Sequence, residues 1–127
     1  MTSGSEPGGA LPPLPASILS QGPNLIVSIH AALDDQQLMR LQKDLLDRVG
    51  NERSRGILID VAAVDVLDSF AARTLADLAY MARLRGAETV VVGIAPEVAI
   101  ALVRLAVKMP LVRTALDLEE GLRCLPS

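Results

Sequence analysis

Apolar residues recur along this chain with two different periods, and each change of period marks a new element. Ala16-Ser17-Ile18-Leu19-Ser20 and Asn24-Leu25-Ile26-Val27-Ser28-Ile29-His30 are β-rich runs on either side of Gln21-Gly22-Pro23, which predicts a hairpin. In the second run, alternation puts Leu25, Val27 and Ile29 on one face and Ile26, Ser28 and His30 on the other. The period then lengthens. Asp34 and Gln37 have the spacing of a capping box, and Leu38, Leu41, Leu45 and Val49 follow at helical intervals, with Leu46 widening the stripe. Gly50 is the expected terminator of that helix.

Gly56-Ile57-Leu58-Ile59-Asp60-Val61-Ala62 and Glu88-Thr89-Val90-Val91-Val92-Gly93-Ile94 are nearly continuous apolar runs of strand length. Such runs suit strands covered on both faces, as in a parallel sheet between helices. Between them a helix is predicted from about Ser69 to Leu84, with Leu75, Leu78 and Ala82 as its inward row. Pro96 opens a further helix, with Glu97 near the positive end of its dipole; it runs to about Val107, and Pro110 bars its continuation. Leu111-Val112-Arg113-Thr114 reads as a short extended piece. Asp117-Leu118-Glu119-Glu120 is a second capping box, for a last helix ending near Arg123. The order predicts an α/β fold: a mainly parallel sheet of roughly four or five strands, an antiparallel hairpin at its edge and about four helices. Residues 1–15, with Gly4, Pro7, Gly8, Gly9, Pro12, Pro13 and Pro15, read as a flexible tail, and 16–127 as a single domain.

Composition narrows the function. At 127 residues the chain can bury a core without staples, and Phe70 and Tyr80 are its only aromatics, so that core must be aliphatic. A net charge of −3 argues against a nucleic-acid partner, and two aromatics supply little base stacking. No apolar run approaches the roughly 20 residues that cross a bilayer, so no membrane partner is expected and the localisation is read as cytoplasmic. The lone Cys124 and the lone His30 can form neither an internal disulfide nor a zinc site. Cys124 is expected to fill apolar space, and His30 to sit at a strand end without a proton-transfer partner.

The richest chemistry lies in Val64-Asp65-Val66-Leu67-Asp68-Ser69-Phe70-Ala71-Ala72-Arg73, a strand exit with two carboxylates and then a hydroxyl at the mouth of a helix. Asp60, Asp65 and Asp68 follow a central strand, where ligands of α/β folds gather. Phosphate-accepting aspartate chemistry also needs a lysine after a late strand, yet Lys43 and Lys108, the only lysines, both fall on predicted helices. There is no Gly-rich phosphate loop and no nucleophile elbow. No catalytic residue, cofactor or metal is expected, and the chain is read as not an enzyme. Asp68 or Ser69 fits as the helix cap, and Asp65 as a turn residue closing the loop through its side chain. Ser69 fits equally as a phosphorylation site. The helix dipole and free N–H groups favour a phosphate there, and Arg73 lies four residues on, while Asp65 and Asp68 oppose the added charge. With Phe70, these residues form the expected docking surface: Asp65, Asp68, Phe70 and Arg73.

The segment from Leu25 to Leu125 resembles a STAS domain, with the SpoIIAA-like fold, and within that family the RsbS-type stressosome scaffolds and antagonists. The resemblance rests on Ala31-Ala32-Leu33-Asp34-Asp35, on Gly56-Ile57-Leu58-Ile59-Asp60 leading into Val64-Asp65-Val66-Leu67-Asp68-Ser69-Phe70, on Gly93-Ile94-Ala95-Pro96-Glu97-Val98-Ala99, and on Thr114-Ala115-Leu116-Asp117-Leu118-Glu119-Glu120-Gly121-Leu122. It implies a scaffold that co-assembles with an RsbR-type STAS paralogue and sequesters an RsbT-type serine/threonine kinase. The kinase is released when it phosphorylates the scaffold, here on Ser69, and an RsbX-type phosphatase resets the system. RsbR-type proteins carry a second acceptor threonine just before the Gly-Ile of the later strand, where this chain has Val92, which favours the RsbS side. The chain alone is expected to form a homo-dimer or higher oligomer. The alternative within the family is an anti-anti-sigma factor phosphorylated by an anti-sigma-factor kinase.

Overall fold

Gln21 pairs with Asn24 across Gly22-Pro23, so β1 (Ala16–Gln21) and β2 (Asn24–Ile29) form the expected antiparallel hairpin. The structure is a computed structural model that describes residues 13–104 and 112–125. After the hairpin come α1 (Asp35–Glu52), β3 (Gly56–Asp60), α2 (Ser69–Leu84), β4 (Glu88–Val92), α3 (Pro96–Arg104), β5 (Val112–Ala115) and α4 (Leu118–Arg123). The expected continuation of α3 to Val107 and the start of the last strand at Leu111 lie outside the described residues, as do residues 1–12 of the expected tail. The fold's contacts begin before residue 16: Leu14 packs against the core, and the His30 N–H donates to the Pro15 carbonyl at 2.7 Å.

The five strands lie in the order β1-β2-β3-β4-β5, with β2 to β5 mutually parallel. Spatial order equals chain order, so right-handed crossovers bring the connecting helices to one face. On that face Leu41, Leu45 and Val49 of α1 and Leu75, Leu78 and Ala82 of α2 pack onto Leu25, Val27, Ile29, Ile57, Ile59 and Val91. The opposite face carries Ile26, Leu58, Val90 and Val92 under Leu122, Cys124 and Leu125 at the chain's end. Ile57, Leu58 and Ile59 are all fully buried, as a strand covered on both faces requires. Cys124 is half-buried beside that second cluster, with a free thiol. A Cβ on Gly121 would stand 2.5 Å from Val92 Cγ1 and 2.8 Å from Leu58 Cδ1, so the bare glycine lets α4 lie directly on the sheet.

The first capping box forms in full, and the second only in half. Asp34 accepts from the Gln37 N–H and Gln37 returns to the Asp34 N–H, as expected. Asp117 accepts from the Glu120 N–H at 2.9 Å, but Glu120 reaches back to the Leu116 N–H, one residue further out. Gly50 does not end α1. The helix continues to Glu52, and Arg53 adopts the left-handed conformation instead, at φ 52°, donating its N–H to the Val49 carbonyl. The last turn is held by its side chains: Arg48 Nε donates to Glu52 at 2.9 Å, and Ser20 of β1 donates to the same carboxylate at 2.6 Å. Among the described residues no helix is long and apolar enough to cross a membrane.

Candidate functional site

The loops that follow β3 and β4 meet at the carboxyl end of the sheet and fix how α2 begins. In the loop 61–68, Val61 and Val64 are buried while Asp65 and Val66 face solvent. The Val61 N–H donates to the Val92 carbonyl at 3.0 Å, and the Val64 N–H to the Val61 carbonyl at 2.9 Å. Gly93, at φ 79°, lies so close to this loop that a Cβ would stand 2.9 Å from Ala62 Cβ. The two loops are latched together by backbone. The carboxylate that closes the turn is Asp60's, which accepts the Ala62 N–H at 2.9 Å. Asp65, expected in that part, is exposed and makes no hydrogen bond among the described residues. Asp60 stands two residues before the N–H it accepts, the reach of an Asx-turn.

Asp68 is the N-cap of α2. Its backbone is extended (φ −84°, ψ 178°), its side chain accepts the Ala71 N–H at 2.8 Å, and its carbonyl accepts the Ala72 N–H at 3.0 Å. Ser69 is therefore the first helical residue and not the cap. Its side chain is half-buried at the rim, and among the described residues its hydroxyl has no hydrogen-bond partner. Beneath it, Ala72 packs on Val98 of α3 with Leu67, Ile94 and Ala95 around them, which fixes the first turn from below. Phe70 and Arg73 are exposed, and Arg73 follows Ser69 by four residues along the same side of the helix. The structure thus brings Asp68, Ser69, Phe70 and Arg73 into two turns of one helix, with Asp65 on the loop before it.

Two other hydroxyls differ in access. Thr74 is buried and donates to the Phe70 carbonyl at 2.8 Å, and Thr114 is exposed on the edge strand β5. Val92, where the resemblance places a second acceptor in RsbR-type proteins, is only 1% exposed. Among the described residues no three His, Cys, Asp or Glu side chains converge to hold an ion. His30 is exposed, with Nε2 3.3 Å from the Ser17 hydroxyl. Sequence reasoning missed Met39, Asp77, Tyr80 and Met81, which with Phe70 and Arg73 line a groove of about 380 Å³ between α1 and α2. The signal was there: Tyr80 lies outside the inward row of α2, ten residues after Phe70.

A mixed five-stranded sheet with its connecting helices on one face is the architecture of a STAS domain. Residues 16–121 match the model of that family, and the chain belongs to it. It is 30% identical over 115 residues to the RsbT co-antagonist protein RsbRA of Bacillus subtilis, a match covering 90% of this chain and 42% of that protein. The chain thus spans about two-fifths of the length of that curated relative. Among solved structures it is similar to the RsbS protein of Moorella thermoacetica carrying a serine-to-glutamate substitution, at 32% identity and a TM-score of 0.75, covering 86% of this chain and 92% of that one. It is also similar to a chain from the architecture of the stressosome, described as a signal integration and transduction hub, at 28% identity and a TM-score of 0.68, covering 85% and 94%.

Proposed function

We propose that this chain is a non-catalytic scaffold and negative regulator in a stress-response pathway. It co-assembles with an RsbR-type STAS protein, holds an RsbT-type serine/threonine kinase, and releases it when Ser69 is phosphorylated. An RsbX-type phosphatase restores the resting form. The reading rests on one observation: the Ser69 hydroxyl stands at the rim of α2 with no hydrogen bond among the described residues while Asp68 does the capping. The identities to RsbS and RsbRA support the choice of pathway. They also favour it over an anti-anti-sigma factor phosphorylated by an anti-sigma-factor kinase.

The switch is electrostatic. A phosphate on Ser69 adds a charge of about −1.5 to −2 beside the free N–H groups of the first turn and the Arg73 guanidinium. Asp65 and Asp68 already make the rim negative, so the new charge makes the local potential more negative without asking the backbone to move. The loop beneath is latched to the next loop, and the first turn is packed on α3. A kinase docked on Asp65, Asp68, Phe70 and Arg73 in the neutral state is then repelled.

The test is phosphate mapping by mass spectrometry after incubation with an RsbT-type kinase and ATP. Ser69 should carry the phosphate, and Ser69→Ala should abolish incorporation while keeping kinase capture. Ser69→Asp should weaken capture, though one carboxylate imitates a phosphate only in part. Phosphate appearing mainly elsewhere in the wild type, or equal kinase pull-down by wild type and Ser69→Asp, overturns the reading.

A further inference from the structure

At the end of the sheet opposite Ser69, two residues that cost local stability bring guanidinium groups together. Gly50 lies in the last turn of α1, where alanine favours a helix more. A Cβ there would stand 2.6 Å from Arg85 Nη1, so the bare glycine makes room for the Arg85 guanidinium at the end of α2. Three residues on, Arg53 holds the left-handed conformation at φ 52°, which glycine or asparagine adopts with less strain. Arg55 belongs to the same corner, because its carbonyl accepts the Glu88 N–H at 3.0 Å. Arg53, Arg55 and Arg85 are all exposed, and among the described residues their side chains form no hydrogen bond or ion pair. The neighbouring acids are already engaged: Glu52 by Arg48 and Ser20, and Glu88 by Arg83 at 3.6 Å and Arg113 at 3.4 Å.

Basic residues at helix ends complement the dipole, which is reason enough for an arginine in the last turn of α2. It is no reason for a glycine beneath Arg85 or for strain at Arg53. In a chain of net charge −3, the corner is a local excess of unpaired positive charge. We propose that it is a docking face for an acidic segment of a partner protein, with carboxylates on Arg53, Arg55 and Arg85 and an apolar side chain on Leu84. Guanidinium forks match carboxylates in shape as well as charge. Leu84, between Arg83 and Arg85, is 71% exposed, and a peptide meets both the leucine and the charges where an inorganic anion meets only the charges. Neither Phe70 nor Tyr80 is among these residues, so the corner has nothing for a base to stack on. Leu84 lies about 24 Å along α2 from Ser69. The inference therefore goes beyond the kinase reading and does not rest on it, and both ends of α2 can be occupied at once.

Fluorescence anisotropy of a labelled peptide of repeated Glu-Glu-Leu, titrated with the full chain, tests it. The chain as a whole repels such a peptide, so binding reports the corner. Binding should appear at low salt and weaken as salt rises. R85E should weaken it at least about tenfold, whereas K43E, an equal reversal in the first half of α1, should change it less than about twofold. Circular dichroism checks that each variant keeps its fold. Two further variants separate docking from packing. Gly50→Ala displaces the Arg85 guanidinium and Arg53→Gly relieves the cap, so each should melt at or above the wild-type temperature yet bind the peptide at least about threefold more weakly. A lower melting temperature for either makes that residue structural and overturns the proposal. So does a peptide that fails to bind at low salt or binds R85E as well as wild type. Tighter binding of a single-stranded RNA or of phosphatidylserine vesicles through Arg85 also overturns it.

Discussion

Two neighbouring side chains divide the work at the mouth of α2, and their roles separate cleanly by mutation. Asp68 holds the Ala71 N–H, so Asp68→Ala should lower stability by about 1 kcal/mol in chemical denaturation. Among the described residues the Ser69 side chain holds nothing, so Ser69→Ala should change stability by no more than about 0.5 kcal/mol. Equal losses would mean that both share the cap. From sequence alone the two were interchangeable, because each is a good capping residue and helix boundaries shift by a residue or two. The backbone decides: Asp68 is extended and Ser69 helical. Asp60 and Asp65 present the same difficulty. The capacity of an aspartate to close a turn is legible, but which N–H comes within reach depends on how the loop is latched.

At the scale of elements, most of the order could be read, because two periods of apolar residues alternate cleanly. What could not be read is where side chains from distant elements reinforce an end. Gly50 looks like a stop, yet α1 continues for two more residues because Glu52 is tied to Arg48 on its own helix and to Ser20 on β1. The Ser20 hydroxyl, and then Arg48, hold the Glu52 carboxyl below its ordinary value of 4.5. A carboxyl so held gives up its proton more readily in the folded chain than in the unfolded one. Its contribution is therefore complete above the ordinary value and is lost as pH falls through the lowered one. Glu52→Gln should melt slightly below wild type at neutral pH, and the gap should close in acid; a gap that widens in acid would contradict this. The other end of the chain depends on Gly121. Gly121→Ala puts a methyl group against Leu58 and Val92, so it should destabilise the protein by roughly 1–3 kcal/mol. Thermal melting at neutral pH checks it, and a variant as stable as wild type would show that α4 yields freely.

In the whole molecule, the sheet is asymmetric in what covers it. One face meets two long helices, the other the six residues of α4 and the chain's end. Leu58 is fully buried on the thinly covered face, so Leu58→Ala should cost about 2–5 kcal/mol, toward the lower part of that range if α4 settles into the space. Denaturant titration measures this, and a loss below about 1 kcal/mol would mean that the face is not a packed core. The sheet, its parallel order and the rim serine were all legible, since each follows from local runs of residues. The α1–α2 groove was not, because its walls come from helices separated by a strand and only folding places Met39 beside Phe70.

Keeping both aromatics outside the core has an optical consequence. With no tryptophan, Tyr80 is the chain's chief intrinsic fluorophore, and it stands in water whether the protein is folded or not. Its emission should barely register denaturation, yet should change whenever a neighbour settles against that side of α2. A single ring thereby makes the native chain a built-in reporter of its own company.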